Sequence, residues 1–221
     1  MKKPDENANI MTYLQWRGDL TFSQSPFCQI DSLILCCLSY LNWDGIAAGR
    51  TLSESVSLQD AIVQWNAKPE EQQIIRSPLD RTLLELVSES ARFRDVRLFR
   101  YEAVFSEIRQ QQFSAVSFLL GKSTVYAAFR GTDNTLTGWR EDFNMSFLSE
   151  TPSQQAAAAY LRSVLETDLQ HVLVGGHSKG GNLAVYAAAH APELFLSKIE
   201  AVYNNDGPGF SGNLLQSPQY L

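Results

Sequence analysis

The sequence predicts an α/β protein in which helices cover a mainly parallel sheet, with a mainly helical region at the N-terminus. Two observations carry this prediction. In the first 95 residues apolar side chains recur at helical spacing, and from residue 96 onward short apolar strands alternate with helices. A strand–helix–strand–helix–strand order is typical of a parallel sheet with covering helices. We therefore expect a helical region at 1–95 and a core region at 96–221.

The helical region contains three candidate helices. Residues 32–41 form an apolar stretch directly after Asp31, which is a candidate cap for that helix. Residues 58–65 form a second, shorter candidate. In residues 79–93 the apolar side chains lie on one stripe at i, i+4, i+7 and i+8 spacing, as an amphipathic helix requires.

The core region begins with strands and continues with alternating helices and strands. Residues 113–120 and 124–130 are rich in β-branched and aromatic side chains, and the segment between them is short enough for a hairpin loop. Thr151 and Pro152 form a helix start, because threonine is a good N-cap and proline is tolerated in the first turn. The elements that follow are a helix to about residue 167, a strand at 172–174, a helix at 182–191 and a strand at 199–203.

Composition and charge exclude several classes of protein. The chain has 221 residues, of which 44% are apolar and 19% charged, as in a globular protein and unlike a disordered one. Eighteen Lys and Arg against 24 Asp and Glu give a net charge of −6, which argues against a nucleic-acid partner. The longest apolar stretch, 33–41, is far shorter than the ~20 residues that span a bilayer. We expect a soluble, cytoplasmic protein with reduced cysteines, no transmembrane segment and no metal site.

The strongest functional signal is the segment Gly176-His177-Ser178-Lys179-Gly180, between a predicted strand and a predicted helix. A Gly-x-Ser-x-Gly sequence at such a turn is the pattern of a nucleophile elbow. The sharp turn holds the serine hydroxyl clear of the sheet, and the glycines allow the close packing. The helix directs its positive end at developing negative charge. A tight glycine turn with an unreactive serine is the alternative.

A second segment, Phe129-Arg130-Gly131-Thr132, places a glycine turn at the end of an earlier strand. An oxyanion hole takes one amide from the residue after the nucleophile and one from such a strand-end loop. We therefore predict the backbone amides of Lys179 and Thr132 as oxyanion donors, with the Thr132 hydroxyl as an extra donor.

These segments, together with Trp139 and Asp142, resemble the class 3 lipases and their α/β-hydrolase relatives. The opening segment, from Tyr13 to Phe22 and on through Asp44, resembles a bacterial family of lipase-like proteins of unassigned activity. The segment Asn204-Asn205-Asp206-Gly207-Pro208-Gly209-Phe210 resembles the same family. The resemblance implies an α/β-hydrolase-type sheet and a serine nucleophile at Ser178. It implies no particular substrate.

The sequence provides no well-placed catalytic histidine. In this fold the acid and the histidine follow the serine, but His171 and His177 precede Ser178, and His190 lies along the next helix. We expect His177 to pack beneath the elbow and His190 to cap its helix. In class 3 lipases the acid and histidine lie further downstream, so we expect a chain cut near residue 221, with the C-terminal part of the fold missing. A complete protein that is not a hydrolase is the alternative.

Together these residues predict a lipase- or esterase-like serine hydrolase acting on a small-molecule ester or a lipid. Ser178 is the nucleophile, and Asp206, after the strand at 199–203, is a candidate acid whose alternative is a turn residue. The reaction needs no cofactor. The alternative function is a non-catalytic relative that binds a lipid or a partner protein, and a thioesterase or peptidase on the same scaffold also stays open. No oligomeric state is predicted.

Overall fold

The computed structural model describes residues 9–133, 135–145, 148 and 150–210. These residues contain one six-stranded sheet with the strands in chain order. The strands are β1 (Val56–Ser57), β2 (Arg97–Ser106), β3 (Gln111–Leu119), β4 (Thr124–Phe129), β5 (His171–His177) and β6 (Ile199–Asn205). The helices are α1 (Ile10–Arg17), α2 (Gln29–Leu38), α3 (Leu58–Asn66), α4 (Leu79–Glu89), α5 (Leu136–Asn144), α6 (Pro152–Leu165) and α7 (Lys179–Ala189). The predicted cut near residue 221 lies outside the described residues.

The sheet is mixed, so the prediction of a mainly parallel α/β-hydrolase-type sheet is wrong. β1–β2, β2–β3 and β3–β4 are antiparallel pairs, and only β4–β5 and β5–β6 are parallel. The connections at 107–110 and 120–123 explain the two hairpins, because a parallel pair needs a crossover of a dozen or more residues. Parallel pairing is confined to strands that are separated by α6 or α7.

Most of the predicted helices and strands are present with shifted ends. The hairpin of β3 and β4 is confirmed, as is the start of α6, where the Thr151 hydroxyl accepts a hydrogen bond from the Gln154 amide at 3.3 Å. Asp31 is not the N-cap of α2, which is Cys28. The Asp31 carboxylate lies in the first turn and accepts from the Cys28 amide at 2.9 Å.

Each face of the sheet carries its own hydrophobic core. Successive side chains of a strand point to opposite faces, and β4 therefore contributes to both. Tyr126 and Ala128 join the core formed with the N-terminal helices, whereas Val125, Ala127 and Phe129 join the core formed with α6 and α7. The N-terminal helices share this core with the strands, so the core does not divide the chain at residue 95. The boundary at residue 95 stays a prediction.

A buried ion pair holds the N-terminal region together. Arg92 donates to the two carboxylate oxygens of Asp31 at 2.7 and 2.6 Å, and the two side chains are 1% and 0% exposed. The other N–H groups of the Arg92 guanidinium donate to the carbonyls of Leu20, Ser25 and Pro26. All five guanidinium donors are thus paired, which is the condition for burying such a charge.

The described residues were also searched for disulfides, metal-ligand groups and membrane-spanning helices. The three cysteines are free, and burial raises the pKa of Cys36 to about 12, so this thiol stays protonated and unreactive. Within the described ranges no group of three or more His, Cys, Asp or Glu side chains is arranged to hold a metal ion. No helix in the same ranges is long and apolar enough to cross a bilayer.

Candidate active site

Ser178 lies in the sharp turn where β5 ends and α7 begins. Its backbone has φ 56° and ψ −130°, a left-handed conformation that strains any residue with a side chain. Such strain costs about 1–3 kcal/mol and persists only where the surroundings enforce it. Here the Ser178 amide donates to the Asn205 carbonyl at 3.0 Å, and the Gly181 amide donates to the Ser178 carbonyl at 2.8 Å. The end of β6 and the first turn of α7 therefore fix the conformation.

Gly176 and Gly180 allow the two sides of this turn to touch. A Cβ atom on Gly176 would collide with the backbone of Gly180, and a Cβ atom on Gly180 would collide with the Phe129 carbonyl at the end of β4. Neither glycine has a positive φ. Both are therefore required by space rather than by backbone conformation.

The environment of Ser178 favours negative charge beside it. Ser178 is the N-cap residue of α7, where the first amides have no intrahelical acceptor and the helix dipole is positive. Its side chain is partly exposed, and no side chain or backbone group of the described residues bonds to its hydroxyl. Among the residues that the structure describes, the Ser178 hydroxyl therefore makes no hydrogen bond.

Thr132 lies in the loop after β4, which packs against the elbow at 176–180. A Cβ atom on Gly131 would collide with the His177 carbonyl. The Thr132 hydroxyl donates to Asp142 Oδ2 at 2.5 Å, and burial raises the pKa of that carboxyl although the Thr132 bond and the Lys179 charge lower it. The hydroxyl is therefore occupied, whereas no described group accepts from the Thr132 amide.

The side chain of Lys179 is buried, although sequence analysis considered only its amide. Its Nζ donates to Glu141 Oε2 at 2.9 Å, to the Gln112 carbonyl at 2.6 Å and to Gln112 Oε1 at 3.1 Å. Glu141 also accepts from the amides of Gln112 and Ser153, both at 3.0 Å. Sequence reasoning missed Glu141, and no local pattern marks it.

Asp206 directly follows β6 and is exposed, with φ 58°. β6 pairs with β5 in parallel, with Asn205 opposite His177, so Asp206 lies at the same end of the sheet as Ser178. The structure therefore brings Ser178, Thr132, Lys179 and Asp206 to one sheet end. No described residue bonds the Asp206 carboxylate.

Two of the three histidines bond groups other than Ser178. His171 starts β5, and its Nδ1 lies 2.5 Å from Glu200 Oε1. His190 is the C-cap of α7, as expected from the sequence, and its Nδ1 lies 2.8 Å from the Tyr186 carbonyl. Neither side chain contacts the predicted nucleophile.

His177 packs against Tyr40. The Tyr40 hydroxyl lies 3.1 Å from His177 Nδ1, and the Arg76 guanidinium lies 3.8 Å from the centre of the Tyr40 ring. Burial raises the pKa of Tyr40 to about 12, so the phenol stays protonated and can donate to an unprotonated Nδ1. Burial and the charge of Arg76 lower the pKa of His177, while the charge of Asp206 raises it.

These opposing charges predict opposite titration shifts in two variants. Arg76→Gln should raise the pKa of His177, and Asp206→Asn should lower it, as read from the His177 Cε1–H signal in an NMR titration. Since the folded-state pKa is depressed, folding favours the neutral ring. That stabilisation is present above the ordinary histidine pKa and is lost as pH falls through the folded-state value.

Shifts of His177 in the same direction in the two variants would contradict the electrostatic assignment.

A cavity of about 750 Å³ lies at the other end of the parallel strands. Its lining includes Thr124, Leu173 and Ala201, near the starts of β4, β5 and β6, and Phe22 and Phe27 from the N-terminal region. None of the predicted site residues lines it. The cavity and the candidate active site are therefore separate features.

Comparison with known proteins matches this chain to a family. A family model described as Mbeg1-like matches residues 87–221, a segment that includes the elbow, the Thr132 loop and Asp206. No curated protein and no solved structure matches the chain.

Proposed function

The chain belongs to the Mbeg1-like family, a lipase-like family of unassigned activity, and from this premise we propose that it is a serine ester hydrolase. Ser178 is the nucleophile, and the substrate class is a carboxylic ester, including lipid esters. The observation that carries the proposal is the strained backbone of Ser178 at the N-terminus of α7, with its hydroxyl uncommitted among the described residues.

The proposed chemistry follows from this placement. The Ser178 oxygen gives up its proton and attacks the ester carbonyl carbon, the bond from that carbon to the alcohol oxygen breaks, and the alcohol leaves with a proton as the acyl-enzyme forms. Water then hydrolyses the acyl-enzyme, which releases the acid and restores Ser178. The amides of Thr132 and Lys179 stabilise the oxyanion, and their lack of another acceptor among the described residues supports this role. Asp206 stays the proposed acid. The general base is unassigned, since no histidine bonds to Ser178.

That last observation also favours the second candidate function. A non-catalytic relative that binds a lipid or a partner protein could retain the turn without a base beside the serine. The two functions differ in whether Ser178 reacts as a nucleophile.

A fluorophosphonate probe tests the nucleophile directly. We expect the wild-type protein to be labelled at Ser178 and Ser178→Ala to lose the label completely, because the attacking oxygen is gone. Mass spectrometry of the labelled peptide is the measurement. Ser53→Ala, which changes an exposed serine elsewhere, is the matched control and should be labelled like the wild type.

Labelling that persists in Ser178→Ala would show that another residue is the nucleophile. A wild-type protein that takes no label would favour the non-catalytic alternative.

A further inference from the structure

The Lys179 side chain connects the elbow to the segments around it. Lys179 supplies one of the two proposed oxyanion amides from its backbone, while its Nζ reaches β3 through Gln112 and α5 through Glu141. Glu141 extends the connection to the start of α6, since its Oε1 accepts from the Ser153 amide at 3.0 Å. One buried side chain thus ties the elbow to three other elements.

The same network reaches the loop that holds the other proposed oxyanion amide. Gln112 Oε1 accepts from Lys179 Nζ at 3.1 Å and from the Asp133 amide at 3.4 Å, and Asp133 follows Thr132. On α5, Glu141 is followed by Asp142, which accepts from the Thr132 hydroxyl at 2.5 Å. Two connections, one through β3 and one through α5, therefore join Lys179 to the Thr132 loop.

Burial fixes the geometry of this network. The Lys179 and Glu141 side chains are 1% and 0% exposed, and their Nζ–Oε2 distance is 2.9 Å. All three ammonium donors have acceptors, so displacement of the Nζ group would break hydrogen bonds that water cannot replace. Well-packed apolar residues often stabilise a core as well as a buried ion pair does. What the pair adds is a fixed geometry.

We propose that the Lys179–Glu141 pair is a positioning device that sets the spacing between the Lys179 and Thr132 amides. The inference rests on the proposed function, because it assigns these amides to one oxyanion hole. Lys179 Nζ and the Glu141 carboxylate touch no reacting atom, and their effect on the reaction passes through the backbone that they hold.

The test compares two buried ion pairs that lose their basic member in the same way. Lys179→Met breaks the pair beneath the elbow, and Arg92→Met breaks the equally buried pair of the N-terminal region. The double variant Glu141→Gln/Lys179→Met leaves no unpaired buried charge and provides a folded protein if Lys179→Met alone does not fold.

Two readouts are taken on the folded protein. Hydrogen–deuterium exchange at the hydrogen-bonded amides within 131–133 and 176–181, such as those of Asp133, Ser178 and Gly181, should rise about tenfold in Lys179→Met and in the double variant, as these segments open locally. The rate of fluorophosphonate labelling at Ser178 should fall roughly 10- to 100-fold, as expected for misplaced transition-state donors. Arg92→Met lowers global stability, but because these segments exchange by local opening, it should leave both readouts within about twofold of the wild type.

The outcomes separate this inference from the proposed function. If exchange at 131–133 and 176–181 rises only in the elbow variants, the positioning role is supported even in a protein that takes no label. If the wild type is labelled and the elbow variants match Arg92→Met in both readouts, the positioning role is overturned and the nucleophile assignment stands.

Discussion

Replacing Gly176 by alanine is expected to destabilise the protein by about 3 kcal/mol or more, the upper range for overpacking a rigid site. The added methyl group would collide with the backbone of Gly180, which cannot rotate away as a side chain can. The turn must then open, and α7 must move off β5. Equilibrium denaturation in urea measures the loss in the free energy of unfolding.

Gly209→Ala is the matched control for this substitution. Gly209 lies in the same part of the chain, but a Cβ atom there meets nothing within 4 Å, and its φ is not positive. Its effect should stay within about 0.5 kcal/mol. A Gly176→Ala protein with the urea midpoint of the wild type would show that the close approach at the elbow is absent.

Asp31→Ala is expected to lower the free energy of unfolding by about 3–5 kcal/mol, the cost of leaving one member of a buried ion pair without its partner. The Arg92 guanidinium would keep only its carbonyl acceptors, and the Tyr13 hydroxyl would lose its 3.0 Å bond to Asp31. Urea denaturation followed by far-ultraviolet circular dichroism measures the effect.

Asp95→Ala is the control, because it removes a carboxylate from an ion pair that is exposed to solvent. The Arg94–Asp95 pair has an N···O distance of 3.5 Å, and its side chains are 49% and 80% exposed. An exposed pair contributes at most about 1 kcal/mol, because water and salt screen it. Equal losses in the Asp31 and Asp95 variants would contradict the role given to burial.

Features that depend on a few neighbouring residues were predicted from the sequence better than the pairing of the strands was. The start of α6 was predicted correctly because Thr151 and Pro152 satisfy helix-terminus rules that need no tertiary contact. The relative directions of the strands were predicted wrongly. The alternation of a strand at 172–174, a helix at 182–191 and a strand at 199–203 describes only the β5–β6 end of the sheet. β2 was missed because its outer half is exposed and its regular pattern breaks at Arg100, which has φ 55° beside a register shift.

The candidate site shows the same limit. Spacing alone predicted the turn at Ser178, since its two glycines and the serine lie within five positions of the chain, 176–180. The partner of the Lys179 side chain is Glu141, 38 positions earlier, and no local pattern joins them. Lysine and glutamate are almost never fully buried unless paired, so each of these residues alone would be assigned to the surface. Only the fold shows that they meet.

The cavity at the other end of the strands has a consequence for the search for small-molecule ligands. Its lining residue Leu173 lies five positions before Ser178 along β5, a separation of roughly 17 Å at about 3.3 Å per residue. A compound held among Phe22, Phe27 and Tyr203 would leave the serine hydroxyl uncovered. Hits from a thermal-shift screen should therefore be sorted by competition with a serine-directed probe, because a rise in melting temperature alone reports occupancy at either end.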